Sequence, residues 1–179
     1  MNSANSSGIA GLIIDMQPHF LQNIEKKEKR IMINSQIELI HYLSERGAPI
    51  IILEYLGDGK TIEEITKEID FSKNEKPLIK RIDDGFYHTG LHVLLKKHKS
   101  KNLILMGINA MSCVKATAEG ALSRKGYKIC TARNLIAEKE KYTDKEMNHS
   151  IENYYSAVGT FFRTEKELTA FLEKSLCSK

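Results

Sequence analysis

The sequence predicts an α/β fold, a parallel sheet covered by helices on both faces. Three observations carry this. The continuous apolar runs Ile9–Ile14, Ile50–Leu53 and Leu103–Met106 read as strands buried on both faces, because half-buried strands would alternate. Amphipathic helical stretches separate them; the clearest, Ile31–Glu45, places Ile33, Ile37, Ile40 and Leu43 on one face. Strand and helix then alternate through the rest of the chain, which is the pattern of parallel strands joined by crossover helices. A chain of 179 residues fits one domain with a full-sized core. Residues 9–179 read as that domain, and Met1–Gly8, small and polar, as a disordered tail.

The elements follow in order. Ile9–Ile14 is the first strand and ends at Asp15-Met16-Gln17-Pro18. A lysine- and glutamate-rich stretch leads to the helix at Ile31–Glu45, which Gly47 closes. Ile50–Leu53 is the second strand and ends at Glu54-Tyr55. Gly59-Lys60-Thr61 imitates the end of a phosphate-binding loop, but the first glycine of that pattern falls on Glu54, so a helix cap at Thr61 with Glu64 in a capping box is the better account. Pro77–Lys80 reads as a short third strand with Lys80 at its carboxyl edge. A helix carrying Leu91, Leu94 and Leu95 follows. His88 and His92, four apart, share a face there, without a third ligand for a metal. Tyr127–Thr131, with Cys130 packed in it, is the fifth strand and Ala157–Phe161 the sixth. Glu138–Tyr155 between them is helical. Thr164 caps the last helix, with Glu167 at capping-box spacing and Leu168, Phe171 and Leu172 on one face; Cys177 lies in a frayed tail.

Composition excludes several classes. The net charge of +4 is modest, and the lysine clusters at Lys26–Arg30 and Lys96–Lys101 are mixed with glutamate or histidine and lack interleaved aromatics, so no nucleic-acid partner is expected. No apolar run approaches the ~20 residues that span a bilayer, so no membrane partner is expected. Three cysteines, an odd number without framework spacing, point to free thiols in a reducing, cytoplasmic setting.

The most informative stretch is Asn102–Gly126. The apolar run Leu103–Met106 ends at Gly107, and from Val114 the pattern turns helical through Val114, Ala118, Ala121 and Leu122, with Gly126 at the C-terminal cap. Cys113 therefore sits at a strand–turn–helix junction. There the helix dipole and unpaired backbone N–H groups favour a thiolate and can hold an oxyanion. A small buried apolar cysteine is the alternative. Asp15 and Lys80 likewise fall at strand carboxyl ends, the edge where open parallel sheets bind ligands.

Three stretches in order, LIIDMQPHF, KPLIKRIDDGF and GINAMSCVKATAEGALSRKGY, resemble the isochorismatase-like cysteine hydrolases, the superfamily that includes nicotinamidases. That pattern has an aspartate before Met/Leu-Gln, a lysine shortly before Ala/Gly-Phe, and a cysteine in G-x-x-x-x-x-C-V-x-x-T-A. Asp15, Lys80 and Cys113 occupy those positions, and the likeness runs from about Ile9 to Leu172. The resemblance implies a doubly wound six-stranded parallel sheet of order 3-2-1-4-5-6. It also implies an Asp15-Lys80-Cys113 triad that hydrolyses a small-molecule amide through a thioester. The oxyanion hole would be formed by the backbone N–H groups of Asn109 and Cys113, beside a cis peptide between Ile108 and Asn109. Phe20, Glu54, Tyr55 and Phe86 are candidates for the substrate pocket.

Some positions depart from the family. Ala110 stands where a threonine is common. Nicotinamidases hold a metal through an aspartate and histidines after the second strand, and Tyr55–Lys76 contains no histidine, so no metal and no cofactor are expected. Isochorismatases proper cleave a vinyl ether and commonly lack the cysteine, so Cys113 favours acyl chemistry. Vinyl-ether hydrolysis, or a non-enzymatic binding or redox role on the same fold, are the alternatives. A homo-oligomer, dimer or tetramer, is expected by resemblance.

Overall fold

A computed structural model describes residues 8–124, 126–138 and 144–177. The expected N-terminal tail therefore lies outside the described residues except for Gly8, whose carbonyl accepts hydrogen bonds from the N–H groups of Lys101 and Asn102, both at 2.8 Å. The sheet contains β1 (Ile9–Ile14), β2 (Ile50–Tyr55), β3 (Leu78–Lys80), β4 (Asn102–Ile108), β5 (Lys128–Ala132), β6 (Ile136–Ala137) and β7 (Thr160–Phe162). Its order is β3-β2-β1-β4-β5-β7, and every described pair is parallel. This is the expected 3-2-1-4-5-6 winding, the outermost strand being the seventh in the chain because β6 intervenes. β6 pairs only with the end of β4, through Gly107 with Ile136 and Ile108 with Ala137.

The helices are α1 (Pro18–Leu21), α2 (Lys26–Glu45), α3 (Glu63–Thr66), α4 (Leu91–Lys97), α5 (Cys113–Leu122), α6 (Asp144–Val158) and α7 (Glu165–Cys177). The chain leaves β1 toward β2 and leaves β4 toward β5, opposite directions along the sheet. Right-handed crossovers therefore put α2 and α5 on opposite faces. α2 packs on β1, β2 and α7, while α5 packs on β4 and β5. β1, most of β2 and β4 are buried along their lengths, as two-sided coverage requires.

Several local expectations change. α2 begins at Lys26 rather than Ile31, because the Glu25 carboxylate caps it by accepting the N–H of Glu28 at 2.9 Å. Its core-facing row is Met32, Ser35, Gln36, Leu39, Ile40 and Leu43, with Ile33 and Ile37 only partly buried at its flank. The strand does not stop at Gly107; β4 continues to Ile108. α5 ends at Leu122, which is exposed, and its C-cap is Ser123, three residues before Gly126.

The Thr61–Glu64 capping box does not form: α3 starts after Ile62 without a side-chain cap, and the N–H of Thr61 instead donates to Glu54 Oε1 at 2.7 Å. His88 and His92 do not share a helix face, since His88 precedes α4 with φ 53° and His92 Nδ1 lies 2.9 Å from the Tyr127 hydroxyl. α6 starts at Asp144, and residues 139–143 of the predicted helix lie outside the described residues. The Thr164 hydroxyl does accept the N–H of Glu167 at 3.3 Å, while the Glu167 carboxylate reaches back to the N–H of Arg163 at 3.0 Å. α7 carries on through Cys177 rather than fraying before it. Phe171 is exposed, resting on Phe162.

Candidate active site

The site forms where the winding reverses, at the carboxyl ends of β1, β3 and β4. Asp15 follows β1 directly. Its N–H donates to the Leu53 carbonyl at 3.0 Å, and its φ of 53° is left-handed, a conformation that non-glycine residues hold only when their surroundings impose it. The next two residues supply the constraint. Met16 is fully buried. Gln17 clamps the loop after β2: its Nε2 donates to the carbonyls of Tyr55 (2.9 Å) and Gly59 (2.7 Å), and its Oε1 accepts the Tyr55 N–H (2.8 Å). In Asp-Met-Gln, then, one residue faces the site, one fills the core and one ties β1 to β2.

Lys80 is the last residue of β3 and has no solvent exposure, nor has Asp15. Its Nζ lies 2.8 Å from Asp15 Oδ2, donates to the Ile82 carbonyl at 3.3 Å and sits 4.3 Å above the Tyr55 ring. A buried ammonium is tolerated only with such partners.

Cys113 arrives through a tightly held turn. Gly107 has φ 127°, and a Cβ there would stand 2.0 Å from the Ile14 carbonyl oxygen, so only glycine lets β4 pass this close to the end of β1. The Ile108–Asn109 peptide is cis. The turn is then fixed from the far side: Ala110 N–H donates to Ala137, Met111 N–H to Glu138 Oε2 (both 2.8 Å), and the buried Tyr155 hydroxyl donates to the Ala110 carbonyl (2.5 Å). The Asn109 carbonyl accepts the N–H groups of Ser112 and Val114. The short β6 thus serves mainly to brace the cysteine turn.

The electrostatics differ from the expectation of a preformed thiolate. Burial pushes the Cys113 thiol up to about 12, the neighbouring Asp15 carboxylate adds to this, and Lys80 only partly opposes it. Burial also raises the Asp15 carboxyl above its ordinary range, against the pull of the Lys80 ammonium. The helix start cannot offset desolvation plus an adjacent anion. Cys113 rests as a thiol beside a carboxylate able to take its proton. Burial likewise pushes the half-buried Cys130 up to about 12.

Of the pocket candidates, Phe20 and Tyr55 meet edge-on at 6.1 Å beside the Lys80 ammonium. Phe86 is buried against Tyr127 and Arg124. Glu54 is turned to a structural use, its carboxylate closing the loop at Thr61. Among the described residues no group of three or more His, Cys, Asp or Glu is placed to hold a metal ion.

Sequence reasoning passed over Asp83, Ser112 and Thr117. Asp83 Oδ1 lies 3.5 Å from Cys113 Sγ, and its Oδ2 accepts the Ser112 hydroxyl at 2.8 Å. Thr117 Oγ1 accepts the Gly85 N–H (3.0 Å) and donates to the Cys113 carbonyl (2.8 Å), pinning the loop after β3 to α5. The signal was two adjacent acids just past a strand's carboxyl edge.

Comparison with known proteins agrees with this architecture. Residues 10–165 match the isochorismatase domain model. An uncharacterized isochorismatase family protein of Bacillus subtilis (strain 168), YddQ, is 22% identical over 181 residues, covering 90% of this chain and 97% of that protein. The crystal structure of N-carbamoylsarcosine amidase from Thermoplasma acidophilum superposes with TM-score 0.71 at 21% identity, covering 87% of this chain and 95% of the other. The MAR1 ribonuclease of Caenorhabditis elegans does so with TM-score 0.75 at 20% identity, covering 92% and 81%. Neighbours this distant share the fold, and their differing activities leave the reaction to be argued from the site. No helix among the described residues is long and apolar enough to cross a membrane. With most of its length matched by the domain model, the chain belongs to the isochorismatase family of hydrolases.

Proposed function

We propose that the protein hydrolyses the C–N bond of a small-molecule amide through a thioester on Cys113. The observation that carries this reading is the fully buried Lys80–Asp15 pair at 2.8 Å, close enough to Cys113 for its charges to act on the thiol. A buried charge pair is expensive to keep and, as packing alone, weak evidence for stability, so its position beside a nucleophile points to chemistry.

The steps follow from the protonation states. Because Cys113 rests as a thiol, attack is coupled to proton transfer: Sγ bonds to the carbonyl carbon as its proton passes to Asp15. Lys80 keeps the carboxylate oriented and favours its charged form before attack. The tetrahedral oxyanion rests on the N–H groups of Asn109 and Cys113. The N–H groups of their neighbours Ala110, Met111, Ser112 and Val114 are already bonded elsewhere, which supports that assignment. Collapse breaks the C–N bond, and Asp15 returns the proton to the departing amine. Water then attacks the thioester, giving its proton to Asp15, and the acid leaves as the thiol reforms. A screen of small amides and ureas for ammonia or amine release tests this, with Cys113→Ala as control. Release by the wild type and none by the variant is expected; equal release by both refutes it.

A further inference from the structure

The triad does not use Asp83, yet one of its carboxylate oxygens is 3.5 Å from the nucleophilic sulfur. Its position is built. The other oxygen is held by the Ser112 hydroxyl, the next residue's carboxylate accepts the Phe86 N–H at 2.8 Å, and Gly85 is bonded to Thr117. Asp84 also packs where α5 has no side chain: a Cβ at Gly120 would stand 2.2 Å from Asp84 Oδ1. The loop is therefore docked on α5, and Asp83 is aimed at the thiol while itself exposed to solvent.

The surrounding charges leave Asp83 uncompensated. Lys80 and Asp15 neutralise one another in the buried layer beneath. Lys115 pairs with Glu119, and Arg124 donates to the Gly120 carbonyl and lies over Phe86. Among the described residues Asp83 enters no ion pair. A molecule that brings an electrophilic carbon to Cys113 thus passes a carboxylate with free acceptor capacity.

We infer that Asp83 is a specificity-determining residue, selecting substrates with a cationic or N–H-rich group beside the scissile bond and rejecting those with a carboxylate there. The word substrate rests on the hydrolase reading above; the charge selection is tested without it. Cys113 modification is followed by mass spectrometry with three methanethiosulfonates: the cationic aminoethyl, the anionic sulfonatoethyl and the neutral methyl reagent. Each rate is normalised to that with free cysteine at one fixed pH. The methyl reagent reports the thiolate fraction, so the cation-to-anion ratio isolates the field at the mouth.

In the wild type this ratio at Cys113 is expected to exceed that at Cys130 by about tenfold, the low end of what charge-lined clefts do to association rates. In Asp83→Asn, whose exposed position and unchanged size keep the fold intact, the ratio should collapse toward that of Cys130. A wild-type ratio no higher than at Cys130, or one that survives Asp83→Asn, overturns the inference. The amide screen separates the two readings. Turnover without charge selection removes Asp83's role alone, and charge selection without turnover removes the hydrolase reading and leaves a cation-selective thiol site.

Discussion

Replacing Lys80 by methionine keeps most of the side-chain volume but takes the ammonium away from a carboxylate with no solvent exposure. Asp15 then either remains a lone buried anion or takes up a proton. Taking up the proton sets a ceiling on the loss. The unfolded Asp15 titrates near 3.8, so holding it protonated at pH 7 spans about 3.2 pH units at about 1.36 kcal/mol each, roughly 4.4 kcal/mol. Breaking a buried pair by removing one partner costs about 3–5 kcal/mol, which agrees. We expect about 3–4 kcal/mol lost at pH 7.

The sign fixes the pH dependence. In the variant the folded-state value lies above the unfolded one, so the native state binds more protons and stability falls as pH rises above 3.8. By pH 5 the ceiling drops to roughly 1.6 kcal/mol. Urea unfolding of wild type and variant at both values measures the difference, and Lys80→Met/Asp15→Asn, which leaves no charge, should recover most of it. A loss equal at pH 5 and pH 7, or no recovery in the double variant, would refute the buried-pair reasoning.

Gly107→Ala forces a methyl against the Ile14 carbonyl at a φ of 127° and should destabilise by about 3 kcal/mol or more, read by thermal or urea unfolding; a change under ~1 kcal/mol would mean that β4 does not pass β1 as described. Alkylation of Cys113 by neutral iodoacetamide should keep accelerating with pH beyond the ordinary thiol range of ~8.5, toward about 12. Asp15→Asn should shift that rise to lower pH, because the carboxylate is part of what holds the proton on sulfur. A wild-type plateau near neutral pH would restore the preformed thiolate.

Much of the fold was legible because its signal is local. The apolar runs of β1, β2 and β4 have no polar break, and only two-sided burial explains that. Features fixed by tertiary contacts were not legible. β6 is two residues long, too short for any periodicity, and exists through its pairing with the end of β4. Gly107 reads as a terminator, yet it is there because a neighbouring carbonyl excludes a side chain. The return half of the Thr61–Glu64 box is lost because Glu54, distant in pattern but adjacent in space, takes the N–H of Thr61 that Glu64 would accept.

At the site the three positions of the proposed triad stand out as charged or nucleophilic residues at or just past the ends of buried strands. The thiol's protonation does not, because the sequence displays a helix start but not the desolvation and adjacent carboxylate that outweigh it. Asp83 was overlooked for the same reason: a loop acid looks solvated until the fold sets it against Cys113.

The central claim is that Cys113 carries the acyl group. Once an amide substrate is found, the most direct measurement is acid quenching within the first turnover followed by mass spectrometry of the Cys113 peptide. The account predicts a mass increase equal to the substrate's acyl group less the one hydrogen it replaces on sulfur. Turnover should fall by about 10²-fold or more in each of Cys113→Ala, Asp15→Asn and Lys80→Ala, and these losses should not add, since each breaks the same unit. A Cys113 peptide of unmodified mass throughout, with turnover persisting in Cys113→Ala, would contradict it.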